Sequence, residues 1–452
     1  MNVEPDFLAN LRSELSSWRL WIDRGIVLGY ALLSGLFVVA FTLAADRAFR
    51  LFEAVYAWHP WAVLLWTPAV TACIAWITRR WFPGSAGSGI PQVKAALHPS
   101  LAHAQRSRLV SLRLTLAKMG LGAASFAAGL SVGREGPSVQ VAAGVMQHAR
   151  RWLSAGSTID ARALLVAGGA AGIAAAFNAP LAGVVFAIEE LTGRLEARAS
   201  GVILAAIVLA GLVAVSAFGN LSYFGVIRVP RLGWDLVVPG CLVTLGAGAA
   251  GGLFARLMIA SLTHSPQRLN AVRARWPIGF AAAGGLVVAV LGLASGGVTF
   301  GAGSEAVKRM LAGQDELTPL FTLFKFIATW ITAWCGVPGG IFAPSLAIGA
   351  GVGETVARFA TPDLGPALIA MGMAGFLAAV TQAPLTACII VMEMVDGHSL
   401  VLSLMACAMG ASLISRMISR PLYEALAEHL VAGALGRPRA EAEEKQPAQA
   451  GS

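Results

Sequence analysis

The sequence predicts an all-α polytopic membrane protein made of two repeated halves. Three observations carry that expectation: a scarcity of charge, apolar stretches interrupted by Gly and Pro, and a long internal repeat. Of 452 residues, 57% are hydrophobic and only 13% charged, with a mean hydropathy of +0.71. A soluble domain carries about 25% charged residues, so a water-soluble enzyme is excluded. The 51 glycines disfavour long uninterrupted helices and suit broken or closely packed ones.

The net charge of +9 does not read as a nucleic-acid footprint. The basic residues gather between apolar stretches, at Arg79-Arg80, Arg106 to Arg113, Arg150-Arg151 and Arg268 to Arg275. Lys and Arg at membrane borders follow the positive-inside rule, and no basic stretch is interleaved with aromatics as a nucleic-acid face would be. Cys73, Cys241, Cys335, Cys388 and Cys407 form no CxxC pair, and the seven histidines are scattered. Neither a disulfide framework nor a metal site is expected, and no cofactor is implied.

Along the chain, residues 1–24 carry Glu4, Asp6, Arg12, Glu14, Arg19, Asp23 and Arg24. They read as a cytoplasmic amphipathic segment and not as a cleaved signal, because the run Gly25–Ala45 is long enough to span. A second span, Trp61–Thr78, ends in Arg79-Arg80, giving an in–out–in hairpin. Further apolar stretches lie near 114–130, 138–147, 163–188, 200–218, 234–261, 277–300, 317–350, 365–392 and 399–415, several of them short or cut by Gly and Pro. The expected division is a first half over 25–218, a second over 219–430, and a short disordered cytoplasmic tail over 431–452. Both termini are then cytoplasmic.

The repeat is visible in two places. AAFNAPLAGVVFAIEELTG (Ala175–Gly193) matches AAVTQAPLTACIIVMEMVDG (Ala378–Gly397), and placing Pro180 on Pro384 also aligns Glu189 with Glu393 and Gly193 with Gly397. GREGPSVQVAAGV (Gly133–Val145) matches GIFAPSLAIGAGV (Gly340–Val352), with Pro137 on Pro344. The two matches fall in the same order at nearly the same offset, which indicates a duplicated unit of about 200 residues. Repeated halves with Gly/Pro-interrupted segments in corresponding places point to a transport site.

Three strings can carry chemistry: GSGIP (Gly87–Pro91), GREGP (Gly133–Pro137) and GGIFAP (Gly339–Pro344). Each sets glycines before a helix-compatible stretch with Pro near the first turn, where its missing N–H costs nothing. A helix that starts inside the membrane leaves its first N–H groups without partners. Such an end carries about half a positive charge and binds anions. Several ends aimed at one point hold a dehydrated anion without the tight grip of a full lysine charge, and conduction needs release.

These strings, in this order, resemble those of the CLC chloride channel and transporter family. AAAFNAPLAGVVFAIEE (Ala174–Glu190) and RPLYEAL (Arg420–Leu426) extend the likeness over roughly Gly25 to Leu430. The resemblance implies a CLC-like fold with inverted halves and broken, re-entrant helices. It implies a homodimer in the bacterial inner membrane and exchange of chloride against protons, without the nucleotide-binding CBS domains of many eukaryotic members. By position, Ser88 and Tyr423 supply hydroxyls to a central chloride, and the backbone N–H groups of Ile341 and Phe342, with those of the helix starting at GREGP, complete its coordination. Glu135 is then the gating glutamate and Glu190 the internal proton relay, a residue that marks exchangers. Gly87, Gly89, Pro91, Gly133, Gly136, Pro137, Gly340 and Pro344 shape the loops, and Arg134 and Lys118 raise the local anion potential.

Elementary energetics suit a poised Glu135. An ionised acid at mid-membrane costs about 2.5–3.5 kcal/mol on insertion scales, and a helix N-terminus returns about 0.3–2 kcal/mol. Plainer readings exist for each residue: Glu135 as a helix-dipole acid, Ser88 as an N-cap, Tyr423 as an interfacial aromatic and Lys118 as a snorkelling base. Glu189, aligned with Glu393, reads as structural. Where the family commonly has acids after GSGIP, this chain has Gln92 and Lys94, which predicts a more positive inner vestibule and a lost partner for Lys118. Ser88 favours chloride over nitrate, since nitrate-preferring relatives tend to carry Pro there. The rival functions are a passive anion channel, with Glu190 silent, and an intramembrane enzyme using Cys335 or Ser345, which lacks a paired His or Asp in any matching motif.

Overall fold

The computed structural model describes residues 18–154, 157, 159–193, 200–219, 223–227, 233–263, 268–314 and 320–436. Among them the secondary structure is helical, apart from two isolated backbone bridges. Among the described residues, seven helices are long and apolar enough to cross a membrane. In chain order the first half holds α1 (Trp18–Trp58), α2 (Val63–Trp81), α3 (Ile90–Ala96), α4 (His103–Ser107) and α5 (Leu112–Ala127). It continues with α6 (Glu135–Ala149), α7 (Ala161–Phe177), α8 (Pro180–Phe186), which runs into a π-helical turn over Ala187–Thr192, and α9 (Ser200–Phe218). The second half holds α10 (Val237–Leu262), α11 (Arg268–Arg275), α12 (Pro277–Ala294), α13 (Ser304–Leu311), α14 (Phe321–Trp334), α15 (Phe342–Ala357), α16 (Gly365–Thr381), α17 (Pro384–Met394) and α18 (Val401–Arg416). A last helix, α19 (Leu422–Leu435), follows.

The repeat governs the packing. Helix α7 lies against α6 and α9 as α16 lies against α15 and α18, while α2 meets α12 and α8 meets α17. Apolar side chains gain nothing by leaving lipid for one another, so close backbone approach must supply the cohesion. Gly172 shows it: a Cβ there would sit 2.8 Å from the Val139 Cα on α6. Gly353 does the same on α15, where a Cβ would run into the Leu368 carbonyl of α16.

Two pairs of reciprocal bonds join the halves. Glu189 accepts hydrogen bonds from the Leu385 and Thr386 N–H groups (3.1 and 2.6 Å) at the start of α17. Glu393 accepts from Leu181 and Ala182 (3.2 and 2.7 Å) at the start of α8. Each half therefore caps the other's broken helix, where Pro180 or Pro384 has ended the preceding one. Gly133 and Gly340, which hold equivalent places in the two halves, form an antiparallel bridge (N···O 2.7 and 2.8 Å). The chain thus runs in opposite directions at equivalent points, as inverted halves require.

Several boundaries differ from the sequence reading. Helix α1 is already under way at Trp18, so residues 18–24 belong to the first long helix; residues 1–17 lie outside the described residues. The helix continues past Ala45 to Trp58, because Asp46, Arg47, Arg50 and Glu53 interrupt hydropathy without breaking helical geometry. At the other end α19 carries helix through Leu435, over the start of the expected tail, and 437–452 lie outside the described residues. The division at 218/219 falls just after α9.

Candidate functional site

The three Gly/Pro strings meet. Gly87 exchanges backbone bonds with Val337 and Gly339, donating to the Val337 carbonyl and accepting from the Gly339 N–H (both 3.1 Å). The Gly133–Gly340 bridge joins the second string to the third. Positive φ at Gly87 (68°) and Gly89 (109°) lets the first string turn into α3, with Pro91 in the opening turn of the helix. A Cβ on Gly136 would overlap Ser88 Oγ, so this glycine lets the hydroxyl lie against the start of α6. At 15 and 16 residues, α6 and α15 are roughly 23 Å long. That is short of the ~30 Å hydrocarbon core, so both begin within the protein.

Ser88 Oγ and Tyr423 Oη are buried, lie near one another and make no normal hydrogen bond. Tyr423 is fully buried on α19 and stacked on Phe342 (centroids 5.9 Å apart, 11° between planes), so it is not an interfacial aromatic. Ser88 is not the cap of α3 either; that place falls to Gly89. Glu135 is fully buried at the first position of α6. Its Oε2 accepts from the Ala343 N–H at 3.4 Å, and its Oε1 has no partner. A carboxylate therefore rests on the N-terminus of α15, beside the opening N–H groups of Ile341 and Phe342, which no intrahelical carbonyl reaches. Buried hydroxyls and helix-start N–H groups without protein acceptors form a donor set for a small anion.

A cavity of about 750 Å³ approaches Glu135 from one side, lined also by Arg134, Asp46, Ala302, Gly303 and Arg309. Glu135 is in its wall, and Ser88 and Tyr423 are not. Arg134 donates to Asp46 Oδ1 (2.7 Å) and lies over the Tyr223 ring, 5.8 Å from its centroid. Its charge is thereby fixed at the cavity floor.

Lys118 is fully buried and does not snorkel. Its Nζ donates to the carbonyls of Ser85 (2.8 Å) and Gly87, pinning the loop that carries Ser88. It needs no acidic partner, contrary to the expectation drawn from Gln92 and Lys94. Gln92 donates to the Ala86 carbonyl (2.6 Å) and braces the same loop. Lys94 does not leave bare positive charge either: its Nζ lies 2.8 Å from Glu190 Oε1. Glu190 sits in the π-helical turn after α8, with Lys94 as its ion-pair partner and Glu424 and Tyr423 of α19 in its surroundings. The basic stretches after α2 and before α5 face the same way, since the Arg113 guanidinium lies over the Phe82 ring (5.3 Å). Burial, and next the charge of Arg79, push the Arg273 guanidinium of α11 below its ordinary range, which places that basic helix nearby as well.

The structure adds Gln140, which donates to the Gly84 and Leu109 carbonyls (2.9 and 2.7 Å). It also adds Lys325, fully buried, whose Nζ donates to Thr299 (2.9 Å) and Gly301 (2.7 Å). Lys325 is the repeat twin of Lys118. The loop it pins, Gly301-Ala302-Gly303, precedes Val307-Lys308 as Gly87-Ser88-Gly89 precedes Val93-Lys94.

Broken helices whose starts converge on buried hydroxyls define a membrane protein with a site at the middle of the bundle. Residues 70–416 match the voltage-gated chloride channel family, and the chain belongs to that family, the CLC proteins. It is 32% identical over 450 residues to an H(+)/Cl(-) exchange transporter, ClcA, of Cronobacter sakazakii, covering 92% of this chain and 90% of the relative. With the ClcA exchange transporter of Salmonella typhimurium it shares 30% over 427 residues, covering 90% and 84%. Among solved structures, a slow cyanobacterial Cl-/H+ antiporter superposes with a TM-score of 0.79 at 24% identity, over 91% of this chain and 98% of the other. A CLC-type fluoride/proton antiporter superposes at 0.73 and 21%, over 91% and 98%. The fold is the CLC fold, and the chain is a multi-pass membrane protein.

Proposed function

We propose that the protein exchanges chloride for protons across the bacterial inner membrane. One observation carries the reading: a fully buried Glu135 carboxylate rests on the helix start of α15, beside two buried hydroxyls that no protein group satisfies. Chloride is held by the hydroxyls of Ser88 and Tyr423 and by the N–H groups of Ile341 and Phe342. Glu135 competes for the same donors when ionised and leaves them when protonated, so one proton is traded against anion occupancy. Exchange transporters at 30–32% identity and a bundle of this fold support the assignment.

Glu190, which does not line the cavity, relays the proton to the opposite solution. We read the face that carries the basic stretches around Arg79, Arg113 and Arg273 as the cytoplasmic one, and both termini as lying on it, in line with the positive-inside rule. Leu181 and Leu385, at equivalent places on α8 and α17, remain about half exposed (55% and 46%). The family resemblance implies a homodimer with one pathway per subunit, and we include that in the proposal.

The test is reconstitution into liposomes under a chloride gradient, with chloride and proton movement recorded together. Uphill proton movement driven by chloride is the expected result. Chloride flux without protons would make the protein a passive channel and leave Glu190 silent.

A further inference from the structure

Among the described residues, the Lys94–Glu190 pair is the ion pair in which a proposed proton-handling group takes part. Its geometry restricts how Glu190 can take up a proton. Nζ and Oε1 are 2.8 Å apart; the Glu190 side chain is 5% exposed and that of Lys94 20%. The lysine therefore stands on the solvent side of the carboxylate. The other charged and titratable groups around Glu190 do not replace it. Glu189, adjacent in the π-helical turn, spends its carboxylate on the Leu385 and Thr386 N–H groups. From α19 come Glu424, which is exposed, and the buried phenol of Tyr423. Lys94 is the sole cation in this set, so a proton arriving on Glu190 would strand the ammonium in a partly buried site.

We infer that the Lys94–Glu190 ion pair is an inner proton latch, and that Lys94 must swing into the aqueous vestibule before Glu190 can be protonated from that side. Lys94 has the means: a flexible four-carbon stem, a strongly hydrated head and a path to water already a fifth open. The proton then moves from inner water to a Glu190 carboxylate oxygen, and the ammonium is compensated by solvent until the proton leaves toward Glu135. Opening of the pair sets the inner-pH dependence of proton movement. The chloride donors are untouched, because Ser88 lies in the loop before α3 and Lys94 in the second turn of the helix. Lys94 is in this sense a positioning residue, and the inference rests on the exchange reading above.

The test compares wild type with Lys94→Met, Lys94→Gln and Lys94→Arg in liposomes. Proton and chloride fluxes are recorded while the inner-side pH is varied, and chloride affinity is measured by calorimetry in detergent. An opposite charge within 4–6 Å shifts a carboxyl titration by about 1–3 pH units. Lys94→Met should therefore move the inner-pH midpoint of proton flux up by about 1–3 units, with Lys94→Gln doing the same. Lys94→Arg should keep the wild-type profile, and chloride affinity should stay within about twofold throughout. A wild-type midpoint in both neutral variants, with chloride affinity intact, would overturn the latch while leaving exchange standing. Chloride flux without protons in wild type and in all three variants would instead remove the exchange reading itself.

Discussion

Lys118 and Lys325 allow the stability of this fold to be separated from its anion affinity. Each is fully buried with its ammonium between two loop carbonyls. Lys118→Met removes the ammonium together with its own desolvation cost, so what remains is the state of the carbonyls. Ser85 loses the donor bonded to it, at about 1–3 kcal/mol for a buried unsatisfied group. Gly87 keeps the Gly339 N–H (3.1 Å) and loses less, about 0.5–1.5 kcal/mol. The sum is about 1.5–4.5 kcal/mol. Lys325→Met strips the lysine bond from both Thr299 and Gly301, which gives about 2–6 kcal/mol. Lys325→Met should then lower the thermal unfolding midpoint in detergent at least as much as Lys118→Met. Chloride binding should order them the other way. The loop under Lys118 carries Ser88, and loss of one hydrogen bond to an anion is worth about 1.5–3 kcal/mol, or roughly tenfold or more in affinity. The loop under Lys325 presents Ala302, which has no hydroxyl, so its affinity should stay near wild type. Equal loss of affinity in the two variants, by calorimetry on folded protein, would refute the reasoning, for it would mean that chloride binding only tracks global stability.

Other outcomes follow from the same geometry. Glu135→Gln keeps the shape of the side chain but cannot ionise, so anion flux should persist while chloride-driven proton pumping in liposomes disappears; residual pumping would deny Glu135 its role. Ser88→Ala and Tyr423→Phe each delete a buried hydroxyl with no protein partner. Their unfolding midpoints should hardly move, whereas chloride affinity by calorimetry should fall about tenfold or more. Glu189→Leu and Glu393→Leu each remove two carboxylate bonds to a helix start. Both should destabilise the protein by about 2–4 kcal/mol, and by similar amounts because the caps are reciprocal; a large difference in thermal unfolding between the two would break the symmetry argument.

The site was legible in the sequence where it depends on backbone geometry. Gly and Pro at fixed places in GSGIP, GREGP and GGIFAP leave a helix few ways to begin, and the three strings do meet through Gly87, Gly133 and Gly340. Side-chain partners were less legible. Lys94 and Glu190 are 96 positions apart, and no local pattern joins them. Lys118 reads from sequence as a base in search of an acid, yet in a loop rich in positive φ the nearest acceptors are backbone carbonyls turned inward. The second pinned loop did carry a sign, since GAGSEAVKRML (Gly301–Leu311) follows the Gly-x-Gly and Val-Lys spacing of GSGIPQVKAAL (Gly87–Leu97). It lacks the Ser and the Pro that make the first loop conspicuous. Helix ends were misjudged for a simpler reason: hydropathy marks where a helix meets lipid, whereas α1 and α19 continue past that border on helix-compatible polar residues.

That missing Ser bears on how a duplicated fold comes to have a direction. The halves share their framework: a buried lysine holding a Gly-x-Gly loop, a short helix after it, and a broken helix starting at the Gly133–Gly340 bridge. At the places where the framework meets the pathway the two halves differ. Ser88 stands opposite Ala302 in the repeat, and Glu135 opposite Phe342. One loop thus offers a hydroxyl to the core of the site, and its twin helps line the cavity leading to Glu135. One broken helix begins with an acid that can titrate; the other begins with an aromatic that stacks on Tyr423 and cannot. On the exchange reading, placing the acid on one half alone would give the proton a single point of contact with the anion path, and the Lys94–Glu190 pair, also confined to the first half, would give it a separate way in. On that reading the coupling resides in a few departures from the chain's own repeat, while the repeat supplies the rigid frame against which they act.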